Sequence, residues 1–116
     1  MTERARNEGS AAQAVLVDDP RFSLHRSGGY HPERPERLTA ARAALDKAGV
    51  AWERIEPRPA SDEELVRAHT AEFVERMEKL RGSRGHIDPD TYVCPESIEV
   101  ARLAAGSIVS MVDAML

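Results

Sequence analysis

Apolar residues first cluster at Ala14-Val15-Leu16-Val17, a run of four that ends on Asp18-Asp19-Pro20. β-branched residues flank Leu16, and so short an apolar run predicts a strand buried on both faces, as in a parallel sheet. Its acidic end would lie at the carboxyl edge of that sheet, where open α/β folds bind ligands. Residues 21–34 show no periodicity and carry Ser27-Gly28-Gly29, then Tyr30-His31-Pro32-Glu33-Arg34-Pro35. This is loop chemistry, because each proline disfavours helix in the residue before it. Pro35 suits the first position of a helix, whose stripe of Leu38, Ala41, Leu45 and Ala48 stops at Gly49. Residues 50–55 make a weaker second strand, closed by Pro57 and Pro59.

Ser61-Asp62-Glu63-Glu64 has the form of a capping box and predicts a short helix reaching about Ala68. Thr70 can cap the next helix, with Phe73, Met77 and Leu80 on its apolar stripe. Gly82-Ser83-Arg84-Gly85 reads as a flexible turn and residues 87–95 as an extended loop, since Asp88-Pro89-Asp90-Thr91 favours turns. Residues 96–116 form a long helix with Ile98, Ala101, Ala105, Ile108, Val112 and Met115 on one face. Leu103, Val109 and Leu116 widen that face, which suits a helix packed on more than one neighbour. Gly106 lowers helix propensity by about 1 kcal/mol relative to alanine, which points to a close approach by another segment. The helix reaches Met115-Leu116 without a cap or a basic last turn, and reads as interrupted. One firm strand, one weaker strand and four helices do not complete a parallel sheet. Either the domain is mostly helical with an odd strand, or the strand's partners lie elsewhere.

Composition narrows the classes. The 116 residues hold 16 Lys and Arg against 20 Asp and Glu, a net charge of -4, which argues against a non-specific nucleic-acid surface. No apolar run approaches the ~18–20 residues of a membrane span. The first residues lack the apolar core of a signal peptide, and residues 1–13 read as a polar, flexible leader. A single cysteine, Cys94, excludes a disulfide framework and fits a reducing cytoplasm, which is the expected location. Cys94 reads most simply as a small buried residue. The four histidines, His25, His31, His69 and His86, fall on separate elements without zinc-ligand spacing. His69 reads as a helix-end residue satisfying backbone carbonyls. Asp18 and Asp19 are open to two readings, an acid/base pair or a turn and cap.

Four blocks, in order, resemble the histone deacetylase superfamily. That group takes in the bacterial deacetylase-like amidohydrolases, the acetoin-utilisation proteins and the acetylpolyamine amidohydrolases. The blocks are Leu24-His25-Arg26-Ser27-Gly28-Gly29-Tyr30-His31-Pro32-Glu33-Arg34-Pro35-Glu36-Arg37-Leu38, Glu63 through Val74, Ile87 through Ser97, and Ala101 through Gly106. The resemblance extends over about residues 14–116, nearly all of the sequence. It implies an α/β fold of the arginase/deacetylase type, a three-layer arrangement with a mainly parallel sheet, here helix-rich with one or two strands. It also implies zinc-dependent hydrolysis of an acetyl amide, on acetyl-lysine or an acetylpolyamine. In that chemistry a zinc ion polarises the carbonyl and acidifies a bound water, while histidines move the proton.

The family's His-His pair, its Asp-x-His ligand motif and its oxyanion residue have no match in this sequence. The resemblance therefore implies an N-terminal portion of a deacetylase domain over residues 14–116. No catalytic or metal-ligating residue and no cofactor is expected on this chain, which should be inactive alone. The matching positions imply a place in the substrate tunnel or rim for His31, Pro32, Asp90 and Tyr92, and a place in the acetate channel for Arg37. Arg37 is equally readable as a solvated helix charge. The expected partners are a complementary C-terminal segment, as in a split enzyme, or a second copy. A module of the same origin that binds partners without catalysis is the alternative, and neither nucleic acid nor membrane is expected.

Overall fold

The first strand forms where the apolar run predicts it and pairs in parallel with the weaker second candidate. A computed structural model describes residues 14–116, and the leader expected over residues 1–13 lies outside the described residues. Strand β1 (Ala14–Leu16) lies beside β2 (Trp52–Arg54), with Ala14 opposite Trp52 and Leu16 opposite Arg54. Ile55 extends the ladder by donating its N–H to the Leu16 carbonyl at 2.8 Å. Burial on both faces is not reached: every residue of β1 is half-buried. A two-stranded parallel pair covers neither its faces nor its outer edges, and so lacks the cover that parallel sheets normally have.

Between these strands the chain makes a 3-10 turn (Pro20–Leu24) and helix α1 (Glu36–Ala48). Asp19 caps the turn by accepting the Arg21 N–H at 2.8 Å, and it pairs with the Arg21 guanidinium at 2.9 Å. Asp18 pairs with Arg42 of α1, whose guanidinium also lies 4.6 Å from the centroid of the Trp52 ring. The aspartate pair thus serves as cap and tether. Helix α1 ends on Gly49 at φ 68°, the left-handed conformation that favours glycine at this position. None of its residues is buried, and Leu38, on the expected stripe, is 47% exposed.

Helix α2 (Asp62–Leu65) opens with the complete capping box, in which Ser61 Oγ accepts the Glu64 N–H and the Glu64 carboxylate accepts the Ser61 N–H. Thr70 caps α3 (Ala71–Glu78) in the same way, through the Phe73 N–H. Residues 87–95 are not wholly extended loop. Strands β3 (Gly85–Asp88) and β4 (Thr91–Val93) pair there as an antiparallel hairpin with an irregular register between His86 and Asp88. The described residues therefore contain four strands where one or two were expected. The hairpin is hard to read because β3 mixes Gly, His and Asp with one apolar residue and is mostly exposed.

Helix α4 (Ser97–Met115) is the axis of the core. Ile98, Val100 and Leu103 are buried, together with Ala51, Ile55, Ala60, Tyr92, Val93 and Cys94 from the preceding segments. Gly106 marks the close approach that its position in a helix suggested. A Cβ there would lie 2.5 Å from Ala60 N and from Pro59 C, and nearer still to Arg58 O. At this crossing Ala60 donates its N–H to the Arg102 carbonyl at 2.8 Å. Toward its C-terminal end the helix loses cover, leaving Ile108, Val112 and Met115 58%, 51% and 62% exposed.

Candidate functional site

Tyr92 is the centre of the candidate site. It occupies β4 and is 3% exposed. Its hydroxyl donates to the Glu33 carbonyl at 2.9 Å, which fastens the His31 loop to the hairpin. The His25 ring lies on the Tyr92 ring with centroids 4.5 Å apart, and the His31 ring meets it edge-on at 4.9 Å. Burial first, and then the nearby Glu33 carboxylate, push the Tyr92 phenol above its ordinary pKa, so it remains a neutral donor.

His25 links this cluster to the long helix. Its Nδ1 shares a hydrogen bond with Ser97 Oγ at 2.7 Å, and its Nε2 faces Glu33 Oε2 at 3.6 Å. Ser97 Oγ also accepts the Cys94 N–H at 2.8 Å, and Cys94 Sγ contacts the Leu24 carbonyl at 3.2 Å. The Arg26 N–H reaches the same sulfur at 3.5 Å. Cys94 is buried as expected, and it also takes part in the ties that hold residues 24–26 against the start of α4.

The expected rim and channel residues are placed unequally. His31 and Tyr92 touch, and exposed Pro32 lies in a tight turn where the Glu33 N–H donates to His31 Nδ1 at 3.0 Å. Arg37 is exposed in the first turn of α1. It lines an open hollow of about 530 Å³ with His25, Glu33, Tyr92, Ser107 and Ile108. Asp90 stands apart at the exposed hairpin tip, its N–H held by Asp88 Oδ1 at 2.9 Å. His69 stacks on Phe73 at 4.9 Å and joins neither group. Among the described residues, no three His, Cys, Asp or Glu side chains come together to hold a metal ion. These residues do not fit the family's zinc site. No described helix is long and apolar enough to cross a membrane.

Sequence reasoning did not single out His25, Cys94 and Ser97 as partners. His25 and Ser97 are 72 positions apart, and local periodicity carries no record of such a pair. The available signal was that both lie inside blocks that carry the family resemblance.

Comparison with known proteins decides the family. The model of the histone deacetylase domain matches residues 31–116. The chain belongs to the histone deacetylase family. It is 38% identical over 90 residues to the histone deacetylase-like amidohydrolase of Pseudomonas aeruginosa, covering 74% of this chain and 23% of that protein. It is 36% identical over 120 residues to the polyamine deacetylase HDAC10 of Homo sapiens, covering 95% of this chain and 17% of the relative. The crystal structure of the HDA15 HD domain matches with a TM-score of 0.74 at 34% identity, over 84% of this chain and 30% of that one. The fold is therefore that of the deacetylase domain, α/β and helix-rich with a small parallel sheet. The chain spans less than a third of each of these three proteins.

Proposed function

We propose that this chain is part of a zinc-dependent deacetylase that hydrolyses an acetyl amide, and that it supplies wall and rim rather than the reacting centre. The observation that carries this reading is the His25–Tyr92–His31 cluster beside the hollow that Arg37 lines. His31 and Pro32, with Tyr92 behind them, shape the mouth of the tunnel, and Asp90 contributes from the hairpin tip. Arg37 offers a guanidinium to the acetate product, a role for which its planar fork of donors is suited. The zinc ligands and the proton-transferring groups belong to other parts of the catalytic unit, and the 116 residues are inactive alone. Zinc, when bound there, would polarise the acetyl carbonyl and acidify a water.

The exposed apolar end of α4 and exposed Leu38 favour cover by another segment. A complementary C-terminal segment supplies it in this reading, with a second copy of the chain as the alternative, and the compartment is the cytoplasm. The test is acetate release from an acetyl-lysine peptide by the purified chain, with zinc titrated calorimetrically. The expected result is no turnover and no stoichiometric zinc. Turnover by the chain alone would contradict the assignment of the reacting groups elsewhere, and a monomer that resists association with any complementary segment would contradict the covered face.

A further inference from the structure

The His31 loop also encloses a second open hollow, of about 340 Å³, on its solvent side. Arg26, Arg34, Tyr30, His31 and Glu36 line it. Arg84 reaches it from the turn before β3, its Nη1 lying 3.6 Å from where a Cβ on Gly28 would stand. Two arginines thus line a hollow whose lining includes one carboxylate, and the Arg84 guanidinium stands beside its Gly28 wall, in a chain whose overall charge is -4. Arg34 accepts the Arg37 N–H through its carbonyl, while the guanidiniums of Arg34 and Arg84 have no hydrogen-bond or ion-pair partner among the described residues. Arg26 is steadied by donating its Nε–H to the Ser23 carbonyl at 2.9 Å. The loop itself is set, because Ser27 Oγ donates to the Gly29 carbonyl at 2.7 Å and accepts the Gly29 N–H at 3.2 Å. Tyr30 stands at its edge, 91% exposed, and offers an aromatic face to a bound chain.

We infer that this basic hollow selects the ligand by charge: it takes an acetyl-lysine segment flanked by carboxylates and disfavours a cationic acetylpolyamine. The inference rests on the deacetylase reading above and names the substrate class that its rim prefers. Unpaired guanidiniums attract carboxylates in a bidentate geometry, and their summed field repels an ammonium before contact is made. Glu33, the other carboxylate of the loop, is not among the residues lining this hollow; it faces His25 at 3.6 Å across the Arg37 hollow, which Arg34 also borders.

The experiment is an NMR titration of the 116-residue chain at low salt with an acetyl-lysine peptide flanked by glutamates, its lysine-flanked counterpart and N-acetylspermidine. The glutamate-flanked peptide should move the Gly28, Gly29 and Tyr30 amide signals. It should bind about tenfold more tightly than the other two, an advantage that shrinks as salt is added. Arg34→Glu should abolish the preference and Arg34→Lys should largely keep it, and neither change removes a described contact. Equal or tighter binding of the lysine-flanked peptide or of N-acetylspermidine would overturn the inference, and so would the absence of any shift. An unacetylated glutamate peptide separates the two readings. If it binds as well as the acetylated one, charge selection stands and the deacetylase reading loses support. If acetylated peptides bind alike whatever their flanks, charge selection fails and the deacetylase reading stands.

Discussion

The ring of His25 lies 9° from parallel to that of Tyr92, with its Nδ1 held by Ser97 at the start of α4. One imidazole thereby joins the loop, the hairpin and the long helix. Because the Tyr92 hydroxyl fixes the Glu33 carbonyl from the other side, the His31 turn is clamped at both ends. The clamp ties the mouth of the hollow to both the hairpin and the long helix.

Tyr92→Phe keeps the ring stack and removes one hydrogen bond, so it should cost roughly 1 kcal/mol. Tyr92→Ala removes a buried aromatic and should cost about 3–5 kcal/mol. Ser97→Ala leaves the Cys94 N–H without its acceptor and should cost about 1–3 kcal/mol. Urea unfolding gives these values. Amide exchange should show residues 25–35 opening first in each variant.

Gly106→Ala should be destabilising although alanine is the better helix former by about 1 kcal/mol. The added methyl would meet the backbone of residues 58–60, and parting the two segments should cost about 1–3 kcal/mol net. Gly29→Ala is the control: a Cβ there meets nothing within 4 Å, so stability should hold or rise by a few tenths of a kcal/mol. A thermal melt of both variants checks the opposed signs.

Acid should weaken the chain in a defined window. Arg81 and then Arg102 hold the Glu78 carboxyl down from an ordinary value near 4.5 to about 2. Arg58, with the Ser61 N–H, does the same to Glu64. A carboxyl held low in the folded chain binds fewer protons there than in the unfolded chain. Its stabilisation is therefore complete above the ordinary value and is lost as pH falls from about 4.5 toward 2. Urea midpoints should be flat from pH 7 to about 5 and fall below that. Glu78→Gln should lower the neutral plateau and shallow the acid slope.

Features governed by residues close in sequence were legible: the Ser61–Glu64 capping box, the Thr70 cap, the Gly49 stop and the crowding at Gly106. Each is a hydrogen bond or a steric demand within a few residues, or a propensity penalty that needs a cause. The long-range contacts were not legible. Nothing local tells that His25 meets Ser97, or that Arg102 reaches Asp62 and Glu78 at 2.6 Å each. The β3–β4 hairpin is hard to read because its strands are four and three residues long and β3 is largely polar and exposed. The spacing marks the apolar stripe of α1 but not its cover, and none of its residues is buried among the described residues. Of the site, His31, Pro32, Tyr92 and Arg37 were named through the family blocks, while the role of His25 as their clamp required the fold.

A graft tests whether this chain builds the wall of a working deacetylase. The part of this chain that aligns with the Pseudomonas aeruginosa amidohydrolase would replace its counterpart there, and acetate release from an acetyl-lysine peptide would be measured. The folded graft should turn over, its Arg37→Ala variant should show a marked loss, and the 116-residue chain alone should release none. A folded graft that releases no acetate, or one indifferent to Arg37→Ala, would contradict that role.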